Sequence, residues 1–235
     1  MENIISLRGI CKTYGKGDGL VTALNPIDLD IQKGEMVAIM GKSGSGKSTL
    51  LNLLAGLDVP DSGTYVYDGK EINTKNQNKM AKFRRSDVGF VVQHFALIDE
   101  YSVQQNIALP LRYGKLKGVS TKKRVKEIAE RLEISEKLKK YPSQLSGGQA
   151  QRVAIARAIA HKPSLLLADE PTGALDEETG KSIMNLFKEI NKEGTTVIVV
   201  THDANVASFC QRTIRLHDGE IVGEDKNEES FYIKS

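Results

Sequence analysis

The segment Gly41-Lys42-Ser43-Gly44-Ser45-Gly46-Lys47-Ser48 sets glycines, a lysine and a hydroxyl at the spacing G-x-x-x-x-G-K-S. That pattern suits binding of a polyphosphate. Glycine lets the backbone curl tightly and approach an anion with no Cβ in the way. The N–H groups of the curl and the positive end of the next helix form an anion nest. Lys47 can then reach the β- and γ-phosphates, and the Ser48 hydroxyl can bind Mg²⁺. The apolar run Met36 to Met40 comes before it, and Thr49-Leu50-Leu51-Asn52-Leu53-Leu54-Ala55 follows. This is the strand, loop and helix context that the chemistry requires.

Two further groups carry chemistry. Asp169 and Glu170 end the apolar run Leu165-Leu166-Leu167-Ala168. A carboxylate there meets the Mg²⁺ of a bound nucleotide, and its neighbour is suited to orient and activate a water. Gln93 and His202 follow apolar runs of their own and add polar reach to the same edge. In Leu145-Ser146-Gly147-Gly148-Gln149, Ser146 and Gln149 have the spacing of a capping box. A capped helix start among glycines is a second anion site.

The elements that position these groups alternate. Ile27, Leu29 and Ile31 interleave with Asp28, Asp30 and Gln32, the period of a half-buried strand. With Ile4 to Leu7 they form an opening antiparallel layer. Lys12 to Gly19 reads as a polar, glycine-rich loop. Tyr14 within it either stacks on an adenine ring or packs as an ordinary tyrosine, and the residues leave both open. Asp68-Gly69 and Asp218-Gly219 read as hairpin turns. Residues 73–85 end in Lys82-Phe83-Arg84-Arg85, read as a solvated helix face, with contact to anionic headgroups as the alternative. Val88 to Val92 and Thr195 to Val200 are apolar strands. Ser120 to Ile134 and Glu177 to Glu193 are amphipathic helices. The charged tail from Glu224 to Ser235 is expected to fray. Apolar strands alternating with amphipathic helices predict an α/β fold with a parallel core sheet. The chemical groups then fall at the C-terminal ends of its strands, where such sheets bind ligands.

Composition narrows the function. The length of 235 residues suits one large α/β domain or two small ones, and a net charge of +3 gives no global argument for nucleic acid. No apolar run approaches the roughly 20 residues that span a bilayer, so any membrane role needs other chains. The start lacks a basic segment followed by an apolar one, so no signal peptide is expected. Cys11 and Cys210 lie far apart and are expected to stay free thiols.

Taken in order, Gly41 to Ser48, Gln93, Leu145 to Gln149, Leu165 to Glu170, Ala174-Leu175-Asp176 and His202 resemble the nucleotide-binding subunit of an ATP-binding-cassette (ABC) transporter. The likeness runs from about Ile4 to Val222, and L-S-G-G-Q is its most specific part. It implies a RecA-like P-loop core with a mostly parallel sheet, an antiparallel β layer and a helical subdomain at about 93–151, within a single domain of residues 1–235. It implies an ATPase using ATP and Mg²⁺ and closing as an ATP-dependent homodimer, head to tail. Tyr14 would stack on adenine. Gly41, Ser43, Gly44, Ser45, Gly46, Lys47, Ser48 and Thr49 would hold the phosphates. Ser48, Gln93 and Asp169 would serve the metal. Ser146, Gly147, Gly148 and Gln149 would meet the partner's nucleotide. Glu170 would activate water, with His202, Lys47 and Gln93 assisting.

Phe83-Arg84-Arg85, Val88 to Gln93, Asn106 to Leu111 and Glu170 to Asp176 further resemble the lipoprotein-release, macrolide-export and antimicrobial-peptide-resistance subgroup. That implies a motor on the cytoplasmic face of the membrane, driving export or extraction through separate transmembrane permease subunits. The alternative is a regulatory or mechanical role, such as control of cell-wall hydrolases. Asp99-Glu100 departs from the subgroup where proline is usual, in the segment that would meet the membrane partner.

Overall fold

The computed structural model describes residues 2–113 and 120–227. Two sheets carry the fold. The first is antiparallel, in the order β2 (Val21–Gln32), β1 (Asn3–Tyr14), β4 (Ser62–Tyr67), β5 (Lys70–Glu71). The second has six strands. Its order is β10 (Glu220–Lys226), β9 (Arg212–His217), β3 (Met36–Met40), β8 (Thr196–Thr201), β7 (Leu165–Asp169), β6 (Val88–Val91). All neighbours in it are parallel except β10, which returns antiparallel on β9.

The central strands β3, β7 and β8 are apolar on both faces because both faces are covered. β8 is buried at every position. Alternate residues go to opposite sides. Val37, Ile39, Leu165, Leu167, Ile198 and Val200 join one core with α1 (Lys47–Leu54) and the inner face of the antiparallel layer. Met36, Ala38, Leu166, Ala168, Val197 and Val199 join the other core, with α3 (Val103–Tyr113), α4 (Thr121–Arg131), α5 (Gly147–Ile159) and α6 (Glu177–Lys192). The helix that starts at the phosphate loop is thereby sandwiched between two sheets. Its loop is held at the C-terminal end of β3.

Three expectations change. β1 runs on to Tyr14, which pairs with Val21, so Tyr14 ends a strand instead of lying in a loop. Lys82 to Arg85 is not merely a solvated face. It lies on α2 (Gln77–Asp87), where Phe83 is buried edge-on to Tyr65 and Tyr67, and the Arg84 guanidinium donates to the Gly56 carbonyl. Glu224 to Lys226 belong to β10, because Arg212 and Arg215 pair with Glu224 and Asp225 across the hairpin. The tail beyond residue 227 lies outside the described residues. Both cysteines are free thiols, as expected. Among the described residues no helix is long and apolar enough to cross a membrane.

Candidate nucleotide site

The phosphate loop is shaped by backbone conformations that only glycine adopts cheaply. Gly46 has φ +98°, and a Cβ there would sit 2.4 Å from the Ala23 carbonyl oxygen. Gly44 has φ +81° and open space beside it. The loop thus lies against β2 and keeps one side clear. Lys47 starts α1, and its ammonium donates to the Gly41 and Lys42 carbonyls at 2.7 and 2.8 Å. These bonds arch the lysine over the loop and leave its third N–H for a ligand.

A cavity of about 710 Å³ opens here, lined by Ser43, Gly44, Gly46, Lys47, Ser48, Thr49, Gln93, Asp169, Glu170 and His202. So residues from four separate stretches of chain meet, each at or just past the end of a strand. Lys42, Val21, Thr22 and Ala23 complete the wall. Gly41 and Ser45 are in the loop but not in the lining. Ser45 is buried, and its hydroxyl has no hydrogen-bond partner among the described residues.

Asp169 ends β7 half-buried. Burial raises its carboxyl above the ordinary carboxylate range, and the charge of Glu170 adds to this, while the Ser48 hydroxyl and Lys47 oppose it. A cation between Ser48 and Asp169 would relieve that strain. Among the described residues no group of three acidic, His or Cys side chains could hold a metal by itself. One carboxylate, one hydroxyl and the amide of Gln93 therefore fit Mg²⁺ arriving with phosphates, since Mg²⁺ prefers a few protein ligands plus phosphate oxygens and water.

Glu170 has φ +44°, a left-handed conformation that costs a non-glycine residue about 1–3 kcal/mol. Its N–H still continues the sheet by donating to the Val200 carbonyl, and its own carbonyl accepts from Gly173 N–H. The twist between these bonds swings the side chain towards the end of β8. There the Thr201 hydroxyl donates to Oε2 at 3.2 Å, and His202 Nδ1 meets Oε1 at 2.7 Å. The carboxylate is held from both oxygens, while the His202 ring stays exposed.

The signature segment lies elsewhere. None of Ser146, Gly147, Gly148 or Gln149 lines the cavity. Ser146 caps α5, its hydroxyl accepting from Gln149 N–H at 3.3 Å while Gln149 Oε1 accepts from Ser146 N–H at 3.1 Å. Ser146 and Gly147 are exposed. Tyr14 also lies outside the lining, beyond its strand partner Val21.

Several contributors give no sign in the sequence. Thr201 falls one residue past the apolar run that ends at Val200, and nothing there marks it as a partner of Glu170. Fully buried Gln151, on α5, donates to the Pro171 carbonyl at 2.6 Å, tying that helix to the turn after Glu170. Arg157, also on α5, donates to the Phe95 and Ala96 carbonyls, which hold left-handed backbone just beyond Gln93. A hydrophobic period cannot mark which polar residue on a helix finds a carbonyl.

Comparison with known proteins agrees with this geometry. The family model described as ABC transporter matches residues 24–173. The chain is 47% identical over 228 residues to the ABC transporter ATP-binding protein MJ0796 of Methanocaldococcus jannaschii, covering 95% of this chain and 97% of that one. It is 43% identical over 224 residues to the macrolide export ATP-binding/permease protein MacB of Escherichia coli, covering 95% of this chain but only 35% of the relative. A dimeric, post-hydrolysis structure of the ATP-binding cassette MJ0796 bound to ADP and Pi superposes with a TM-score of 0.88 at 44% identity, covering 95% of this chain and 98% of the other. This chain belongs to the ABC transporter family. It is an ATPase cassette that works on ATP with Mg²⁺.

Proposed function

We propose that the chain is the motor subunit of a membrane transporter of the export or extraction type, acting at the cytoplasmic face through separate permease subunits. The single observation that carries the motor reading is the pair of half-sites on one chain. A phosphate loop with a held carboxylate lies at one edge, and a capped, exposed helix start lies outside that cavity. Two copies arranged head to tail would give each nucleotide both halves. The MacB relatives, whose names join an ATP-binding part to a permease, support the export direction.

The N–H groups of Gly44 to Thr49 cradle the phosphates, with Lys47 bridging them. Ser48, Asp169 and Gln93 would hold Mg²⁺, which when bound would neutralise charge on the phosphates. Glu170 orients the attacking water and takes its proton; Thr201 and His202 keep the carboxylate aimed. The exposed His202 ring reaches towards the γ-phosphate and the facing subunit. Ser146, Gly147, Gly148 and Gln149 offer the start of α5 to the partner's γ-phosphate. Tyr14 stacks on the adenine. Closure on ATP and opening after hydrolysis is the output.

The test is co-purification from gently solubilised membranes. A permease with few spans and a large extracytoplasmic domain is expected to come with the chain and to alter its ATPase rate. Recovery of a soluble partner alone, with no such permease, would overturn the transporter reading.

A further inference from the structure

The loop between α1 and β4 reaches back to the end of β1 with two carboxylates. Asp61 Oδ2 accepts from Thr13, from its N–H at 2.6 Å and its hydroxyl at 2.7 Å. Asp58 does more. Its Oδ1 accepts from the Lys12 ammonium at 2.9 Å and from Val59 N–H at 2.7 Å. Its Oδ2 accepts from the Tyr14 hydroxyl at 2.6 Å. Lys12 also donates to the Val59 carbonyl at 2.7 Å. The Lys12 and Asp58 side chains are only 12% and 28% exposed, so the clamp is half-buried and stiffer than a surface pair.

Tyr14 itself is 42% exposed. An exposed tyrosine would ordinarily exchange rotamers. This one is fixed at its far end, and Lys12 Nζ sits over its ring, 5.1 Å from the centroid. One ring face is therefore occupied and one is left for a ligand. The hydroxyl also faces the Thr49 hydroxyl, which lines the phosphate cavity on α1. Burial, reinforced by Asp58, raises the Tyr14 hydroxyl above its ordinary value and keeps it a donor. For a packing role the clamp is superfluous, because so much of the residue stays in solvent. For a stacking role it is what a platform needs, since a rotamer frozen beforehand removes ordering cost from binding.

We propose that Asp58, gripped by Lys12, is a positioning residue for the nucleoside: it holds the Tyr14 ring in the pose that receives the base. This rests on the reading of Tyr14 as the adenine platform. Asp58 touches no phosphate and should act on ATP only through Tyr14.

The test compares kcat and KM for MgATP in Tyr14→Ala, Tyr14→Phe, Asp58→Ala, Asp58→Asn and the Tyr14→Phe/Asp58→Ala double variant. Inhibition by inorganic tripolyphosphate, which has no base, reports the phosphate loop alone. Tyr14→Ala should raise KM about tenfold or more, the scale of one base stacked on an aromatic ring. Tyr14→Phe and Asp58→Ala should each raise KM roughly threefold to tenfold, the scale of one ordinary side-chain hydrogen bond. The double variant should be no worse than Asp58→Ala, because both remove the same contact. Asp58→Asn, which keeps an acceptor, should recover much of the loss. In the two Asp58 single variants kcat and tripolyphosphate inhibition should hold.

An unchanged KM in Tyr14→Ala would sink the platform reading and the proposal with it. A raised KM in Tyr14→Ala beside a normal one in Asp58→Ala would remove Asp58 and leave the platform intact. A parallel loss of tripolyphosphate binding in Asp58→Ala would mean that Asp58 merely supports α1, and would overturn the proposal. If Asp58→Ala does not fold, Tyr14→Phe decides alone, and a normal KM there refutes the positioning role.

Discussion

Alanine at Gly46 and at Gly34 separates two reasons for having glycine, and the structure sets their sizes. Gly34 has φ +75° with no heavy atom within 4 Å of a built Cβ. Alanine there incurs only left-handed strain, about 1–2 kcal/mol. Gly46 has φ +98°, and its added methyl would meet the Ala23 carbonyl oxygen at 2.4 Å and Leu24 Cδ2 at 2.9 Å. The carbonyl belongs to β2 and cannot swing away as a side chain can. Gly46→Ala therefore carries the same strain plus an overpacking cost of about 1–3 kcal/mol. For a chain of this size each kcal/mol lowers Tm by about 2–4 °C. Gly34→Ala should melt a few degrees below wild type, and Gly46→Ala about twice as far below. The functional contrast should be larger. Shifting the loop off β2 by even a few tenths of an ångström misaims its N–H groups, so Gly46→Ala should bind MgATP at least about tenfold more weakly, a loss near 1.4 kcal/mol. Gly34→Ala should bind it normally. Thermal melts by circular dichroism and equilibrium titration with MgATP measure both. Equal melting shifts, or normal ATP affinity in Gly46→Ala, would refute the steric argument.

Other residues give further expectations. Asp169→Asn should abolish the Mg²⁺ dependence of ATP binding, read by titration with and without the metal, yet stabilise the nucleotide-free protein. Its raised carboxyl is a penalty when ionised. A raised folded pKa means that the penalty is complete at neutral pH and relieved as pH falls through that pKa, so denaturation midpoints of variant and wild type should converge on acidification. Gln151→Leu removes the bond to Pro171 but also removes Oε1, which is buried without a partner among the described residues. The two effects, each about 1–3 kcal/mol, largely offset, so urea unfolding should show a change under about 1.5 kcal/mol while kcat falls because the turn after Glu170 loses its tether. A loss well beyond that in stability, with kcat intact, would contradict the tether.

How much of this was legible in the sequence depends on the range of the interaction. The phosphate loop announced itself because its glycines, lysine and serine act through local backbone shape. The capping box of Ser146 and Gln149 was legible for the same reason, and both of its arms are made. Apolar strands followed by polar residues placed Gln93, Asp169, Glu170 and His202 on one edge, and all four line one cavity. Tyr14 was misplaced in a loop because β1 reads as polar from Lys12 onwards. It continues as a strand because cross-strand pairs with Leu24, Thr22 and Val21 hold it. Lys82 to Arg85 misled for a similar reason: one buried phenylalanine outweighs its charged neighbours. The Thr201, Gln151, Arg157 and Asp58 contacts join residues 20 to 62 positions apart, and no local pattern encodes them.

In the proposed cycle two copies close head to tail on ATP, and Glu170 acts only after closure. Its most direct measurement is the mass in solution of Glu170→Gln with saturating MgATP, with MgADP and with no nucleotide. Removing the carboxylate should lower turnover by about 10²- to 10⁴-fold while leaving the binding groups in place. A dimer is expected with MgATP only, lost again when Ser146→Glu sets a negative charge at the start of α5 against the partner's γ-phosphate. A Glu170→Gln protein that binds MgATP and remains a monomer would contradict it.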